Sequence, residues 1–280
     1  MDPFRHPSVG RFVRLAVEED LGRGDLTTSV TVPPGTKAEG RVEARQQLIV
    51  AGLPIVPIVF DAVGAEVTID FHATEGGPAA RDLVLLRVRG EASAILAAER
   101  VVLNFLQRMC GVATLTRSYV NAVRETKARI VDTRKTIPGW RLLDKYAVRL
   151  GGGHNHRFGL DDGILIKDNH VAVCGGVGAA VNRAREHAPH LVRIEVECES
   201  LEQVDEALQA GADAILLDNM TAPEMTEAVK RIDGRALVEA SGGLTLERVR
   251  EVAMTGVDLI SVGALTHSAH AADLAMELNL

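Results

Sequence analysis

The chain has 280 residues, 46% hydrophobic and 25% charged, enough to bury a sizeable core in one large barrel or two unequal domains. Aromatics make up only 3%, which disfavours a β-sandwich or a base-stacking platform. With 38 acidic against 31 basic side chains the net charge is -7, the wrong sign for a non-specific nucleic-acid binder.

In chain order, residues 8–21 are predicted to form an amphipathic helix. Ser8 is its expected cap, Val9, Phe12, Val13, Ala16 and Val17 share a face, and Gly22 stops it. GRGDLTTSVTVPPGT reads as an extended, turn-rich entry. The stretch Leu48 to Phe60 is the most apolar, but Pro54 and Pro57 interrupt it and it is too short to span a bilayer. From Lys37 to about Gly90 short strands dominate: 38–43 and 66–71 alternate in polarity, and 83–88 is a compact apolar run. A helix is expected from Glu91 to Met109, ending at Gly111. The first ~110 residues therefore read as a small α+β domain.

Beyond it, apolar strands ending in polar residues are predicted at 130–133, 164–167, 193–197, 214–218, 236–240 and 258–262. Ser200 with Gln203 and Thr221 with Glu224 make capping boxes for two intervening helices. Strand ends marked by Glu197, Asp218, Glu239 and Ser261 are spaced 21, 21 and 22 residues apart. This βα rhythm, with polar residues at the strand ends, predicts an α/β barrel with its chemistry at the C-terminal mouth.

Residues 132–170 carry seven Lys/Arg and three His against five Asp, a basic island suited to a small, strongly anionic ligand. Within it, DTRKTIPGW (132–140) puts Thr133, Arg134 and Lys135 at a strand end. Arginine can hold a carboxylate through two parallel bonds, and lysine adds a mobile charge; a solvated basic loop is the competing reading. GGGHNHRFGLDDGILIKDNH (151–170) adds His156, Arg157 and Lys167 around glycine turns. Its His spacing does not match a helical zinc pair, and no Cys lies nearby. Ser241, Gly242, Gly243 and then Val262, Gly263, Ala264 follow the last two strands, offering backbone N–H groups for a phosphate. Glu197 and Asp218 could orient ribose hydroxyls, hold Mg2+, or pair with the lysines.

The widely spaced Cys110, Cys174 and Cys198 form no CxxC pair and read as reduced thiols of a cytoplasmic protein. The first residues, MDPFRHPSVGRF, hold no apolar signal-peptide core.

These segments, with ILLDN, EASGG, VGALTHS, EEDLGRGDLTT and AERVVLNFLQRMCGVAT, closely resemble the quinolinate phosphoribosyltransferase family across almost the whole chain. The resemblance implies an N-terminal α/β sandwich over 1–112 and an incomplete α/β barrel over 113–280, with the C-terminal tail packing back on the first domain. It implies a homodimer, or a hexamer built as a trimer of dimers. Quinolinate would be gripped by Arg134, His156, Arg157 and Lys167, with Arg100 reaching in from the partner subunit. Lys135, Lys167, Glu197 and Asp218 would serve phosphoribosyl pyrophosphate and Mg2+, and the two glycine loops would hold its 5-phosphate. No nucleic acid or membrane is expected as a partner. A nicotinate phosphoribosyltransferase or molybdenum-associated relative on the same fold is the nearest alternative, separated by CO2 release. A Schiff-base aldolase using Lys135 or Lys167 would be trapped by borohydride, and a non-catalytic sugar-phosphate sensor would bind without turnover.

Overall fold

The computed structural model describes residues 3 to 280. Helix α1 (Pro7–Leu21) buries Val9, Val13 and Val17 and stops at Gly22, as its pattern predicts. Its cap is His6 rather than Ser8: the His6 ring nitrogen accepts the Ser8 N–H, and Pro7 starts the helix. The expected extended entry contains a short helix, α2 (Leu26–Thr31). Asp25 caps it by accepting the Thr28 N–H at 3.0 Å, a signal hidden among threonines.

Next come β1 (Lys37–Ala44), β2 (Leu48–Ile49), α3 (Ile55–Val63), β3 (Thr68–Phe71), β4 (Pro78–Ala79) and β5 (Val84–Glu91). Helix α4 (Ala92–Val123) then runs 32 residues, straight through the predicted stop at Gly111. That glycine serves close approach instead. A Cβ there would sit 2.0 Å from the His270 carbonyl oxygen, so only glycine lets the C-terminal segment lie against the helix.

The chain continues through β6 (Arg129–Val131), α5 (Arg141–Leu150), β7 (Ile164–Ile166), α6 (Asp168–Cys174), α7 (Val177–His187) and β8 (Ile194–Cys198). It ends with α8 (Leu201–Gln209), β9 (Ala214–Asp218), α9 (Ala222–Ile232), β10 (Leu237–Ser241), α10 (Val249–Met254), β11 (Leu259–Ser261), α11 (Ala264–His267) and β12 (Leu274–Asn279). Ser200 and Thr221 cap α8 and α9.

Two compact units result, and they do not follow one cut at residue 112. The first comprises Met1–Arg117, Ile137–Gly152 and Ser268–Leu280; the second comprises Ser118–Thr136 and Gly153–His267. Segment 137–152 joins the first unit because its side chains pair there. Buried Asp144 accepts from Arg108 at 3.1 and 3.2 Å, Tyr146 donates to Glu75 at 3.0 Å, and Trp140 packs edge-on to Phe12 and tilted against Phe105. Strand β12 pairs antiparallel with β1, so the tail completes the first sheet, ordered β12-β1-β5-β3.

One face of that sheet packs under α4, where Gly40 lies against Ile95 and Met276. The opposite face carries Glu39 bridged to Arg87 and Arg89 at 2.6 and 2.7 Å. The second unit is a parallel six-stranded sheet, ordered β6-β11-β10-β9-β8-β7, with β6 and β7 as the edges of the incomplete barrel. Cys110 and Cys198 are buried, and burial pushes both thiols up to about 12, so neither is a thiolate at neutral pH. No helix among the described residues is long and apolar enough to cross a membrane.

Candidate active site

Strand parity builds the site. In β8 the residues Ile194, Val196 and Cys198 are buried toward the helices, so Glu195 and Glu197 point to the other face. The same alternation puts Leu216 and Asp218 of β9, Glu239 and Ser241 of β10, and Leu165 with Lys167 at the end of β7 around one cavity. This cavity, about 670 Å³, is also lined by Thr133, Arg134, Lys135, His156, Arg157 and Ser261. Every lining residue belongs to the second unit.

The register refines the strand-end spacing. Ser241, not Glu239, lies opposite Asp218, and Glu239 pairs with Leu216 one step deeper. Equal spacing along the chain put Asp218 level with Glu197 and Glu239, whereas both pair with Leu216 and Asp218 stands two residues further along its strand.

Each cationic group has a local cause. A tight turn after β6, with the Lys135 N–H donating to the Thr133 hydroxyl at 3.0 Å, presents Arg134 and Lys135 at the rim. The Lys135 carbonyl accepts from Thr266 at 2.9 Å, tying this turn to α11. Gly263 lies close to this turn: a Cβ there would stand 3.0 Å from the Lys135 side chain. Asp132, fully buried, accepts from the Asn155 amide at 2.7 Å and the His156 N–H at 2.8 Å. His154 forms a parallel bridge to Val131, so the segment after the glycine turn lies against the β6 edge.

Arg157 donates through Nη1 to the Gly163 carbonyl at 2.8 Å, while its buried Nε has no hydrogen-bond partner. Burial, followed by the positive charge of Arg134, lowers the Arg157 pKa below its ordinary value; Glu195 and Glu197 act the other way. Two mutually repelling guanidiniums with an unsatisfied N–H make a receptor for a compact dianion. Lys167 Nζ pairs with Glu197 Oε1 at 2.7 Å.

Beneath these groups lies a set whose mutual contacts the sequence does not announce. His156 Nδ1 accepts the Arg157 N–H at 2.7 Å, so the ring proton sits on Nε2, 3.1 Å from Glu195 and 3.6 Å from Glu239. The imidazole thus braces the Arg157 backbone against two carboxylates. One ligand atom from each of His156, Glu195 and Glu239 lies within 4.8 Å of the others. With Nδ1 occupied by the Arg157 N–H, it is Nε2 that faces the two carboxylates.

Burial, then the neighbouring Glu195 carboxylate, pushes Glu239 up to about 8, with His156 opposing. The folded protein therefore holds a proton that the unfolded chain releases above the ordinary value of 4.5. The associated stability is complete below that value and is lost as pH rises toward about 8. Glu239→Gln, a neutral isostere, is expected to flatten this fall. Its melting temperature should match wild type near pH 5 and exceed it above about pH 8. Parallel melting curves across the range would refute the buried proton.

Gly242, Gly243, Val262, Gly263, Ala264 and Arg100 are not among the lining residues. The first five flank the lining residues Ser241 and Ser261, and Arg100 is exposed on α4 in the first unit.

The chain matches the profile described as "Quinolinate phosphoribosyl transferase, N-terminal domain" over residues 25–110, and that of the C-terminal domain over 112–277. The chain belongs to the quinolinate phosphoribosyltransferase family. Among relatives, the nicotinate-nucleotide pyrophosphorylase [carboxylating] of Mycobacterium leprae is 46% identical over 272 residues, 95% of each chain. A probable enzyme of the same name from Bacillus subtilis is 44% identical, covering 94% of this chain and 90% of its own. The solved nicotinate-nucleotide pyrophosphorylase of Francisella tularensis superposes with TM-score 0.92 at 34% identity, covering 98% of both chains. Human nicotinic acid phosphoribosyltransferase, at 14% identity and TM-score 0.63, shares the fold alone.

Proposed function

We infer that this quinolinate phosphoribosyltransferase binds quinolinate and phosphoribosyl pyrophosphate together in the cavity at the strand ends, and joins them with decarboxylation. The products are nicotinate mononucleotide, pyrophosphate and CO2, the pentosyl transfer of de novo NAD synthesis. The observation that carries the assignment of quinolinate is the Arg134–Arg157 pair, whose mutual repulsion and orphan Nε a pyridine dicarboxylate would relieve.

The chemistry needs no nucleophilic side chain. The pyridine nitrogen supplies the electron pair for the new bond to ribose C1, while the C1–oxygen bond to pyrophosphate breaks. Alignment and charge stabilisation are then the protein's main contribution. The ring nitrogen, now positive, accepts density from the breaking carbon–carboxylate bond as CO2 leaves, and the ring carbon takes a proton. Arg134, Arg157 and Lys167 orient the dicarboxylate, with His156 bracing Arg157. Lys135, Lys167, Glu197 and Asp218 face the second substrate, with Thr133 at the same rim.

Glu197 and Asp218 offer two hard carboxylates on adjacent strands, a donor set that fits Mg2+ held through water or substrate oxygens. When bound, Mg2+ would neutralise the departing pyrophosphate. Ser241–Gly243 and Val262–Ala264 supply small residues and backbone N–H groups for the 5-phosphate. The unpaired thiols support a reducing, cytoplasmic setting. The functional particle is a homodimer, alone or in a hexamer, with exposed Arg100 completing the partner's pocket.

Asp218→Asn tests the second half of the site. It should leave quinolinate affinity nearly intact and weaken Mg2+-phosphoribosyl pyrophosphate, because only that ligand needs the carboxylate. Wild-type turnover across a Mg2+ titration would show the assignment to be wrong.

A further inference from the structure

We propose that Asn219 is a positioning residue that locks the Asp218 carboxylate to the Ser241–Gly243 loop, making one binding unit of two strand ends. The proposal rests on the reading that both elements bind phosphoribosyl pyrophosphate.

Asn219 directly follows β9 with φ 56, one of three non-glycine residues at positive φ among those described. Asp233, another of them, is the C-cap of α9. Asn219 instead stands beside the cavity and is exposed, so packing does not explain the conformation it is held in.

Its contacts do. The backbone N–H donates to the Ser241 carbonyl at 3.1 Å, carrying the β9–β10 pairing one residue past Asp218. The side-chain amide donates to Asp218 Oδ2 at 2.9 Å, which fixes the plane of the carboxylate. The amide oxygen lies over Gly242: a Cβ there would fall 2.2 Å from Asn219 Oδ1 and 2.8 Å from its N. Gly242, at φ 97, is therefore doubly required, by its own backbone and by the amide above it.

The residue needed here must tolerate the left-handed region and carry a side-chain donor for Asp218. Asparagine does; aspartate would place a carboxylate against Asp218, and alanine offers no donor. With its amide on Asp218, packed over Gly242, and its backbone N–H on Ser241, Asn219 fixes the distance between the proposed Mg2+-pyrophosphate and 5-phosphate subsites before ligand arrives.

Asn219→Gly removes the amide while keeping the backbone conformation free of strain. Calorimetric titration with phosphoribosyl pyrophosphate and Mg2+ should show affinity about tenfold weaker or worse, the size of one hydrogen bond to a charged group. Quinolinate titrated into the same preparation should bind as to wild type, and the melting temperature should be unchanged. Combined with Asp218→Asn, the glycine variant should add little further loss, because the amide acts through that carboxylate.

Unchanged phosphoribosyl pyrophosphate affinity in Asn219→Gly, alongside a weakened Asp218→Asn, overturns the positioning role alone. So does equal loss of both substrates, which would mark a general structural effect, or full additivity of the two changes. Unchanged affinity in Asp218→Asn overturns the assignment of Asp218 itself, and the positioning role with it.

Discussion

Arg157→Ala is expected to lose quinolinate affinity by roughly 2–5 kcal/mol, the range for truncating one partner of a buried hydrogen-bonded charge pair. That is a factor of about thirty to several thousand. The guanidinium is held ready for its ligand: Nη1 is anchored on the Gly163 carbonyl, the backbone N–H on His156, and Nε is left buried without a partner. On the proposed reading, removing it would leave the dicarboxylate to Arg134 and Lys167 alone. Binding of phosphoribosyl pyrophosphate should survive. Arg157→Lys should recover only part of the loss, because an ammonium cannot present a planar fork. Calorimetric titration of the alanine variant with quinolinate is the measurement, and unchanged affinity would take Arg157 out of the pocket.

If the proposed dimer is the active unit, Arg100→Ala should lose nearly all activity and remain dimeric. Arg100 is an exposed residue of α4 in the first unit, and the cavity is lined by residues of the second. If Arg100 completes the partner's pocket, Arg100→Ala and Lys167→Ala are inactive for different reasons. Their mixed dimer would hold one pocket lacking both groups and one lacking neither. With random exchange about half the dimers are mixed and half their sites intact, so activity should return to roughly a quarter of wild type. Activity after subunit exchange, with each variant alone as control, reads this directly. No recovery, with exchange verified by mass spectrometry, would place Arg100 in its own subunit's site or outside any site.

The parts of this protein legible in its sequence are those whose cause is local. Apolar runs ending in polar residues marked all six barrel strands, and Ser200 and Thr221 announced the helices they cap, because a cap acts within one turn. The cations at 134, 135, 157 and 167 were visible because each stands at a strand end or glycine turn. His156 was visible as a site residue, but its contacts with Glu195 and Glu239 were not. Strand parity was the unused signal: Glu239 shares a face with Ser241 and so could have been placed in the cavity, and Glu195 shares a face with Glu197, one step deeper along β8.

By itself the sequence determined the succession of strands and helices, the basic island and the family motifs, all of which depend on near neighbours along the chain. Only the tertiary structure decided what Gly111 does, since the His270 carbonyl that excludes a side chain comes from the far end of the chain. It also decided that segment 137–152 belongs to the first unit, through Arg108–Asp144 and Glu75–Tyr146, and that Glu239 keeps its proton beside Glu195 and His156. The reason is common to all three: burial and charge coupling depend on which distant residues are brought within a few ångströms, and no local pattern encodes that distance.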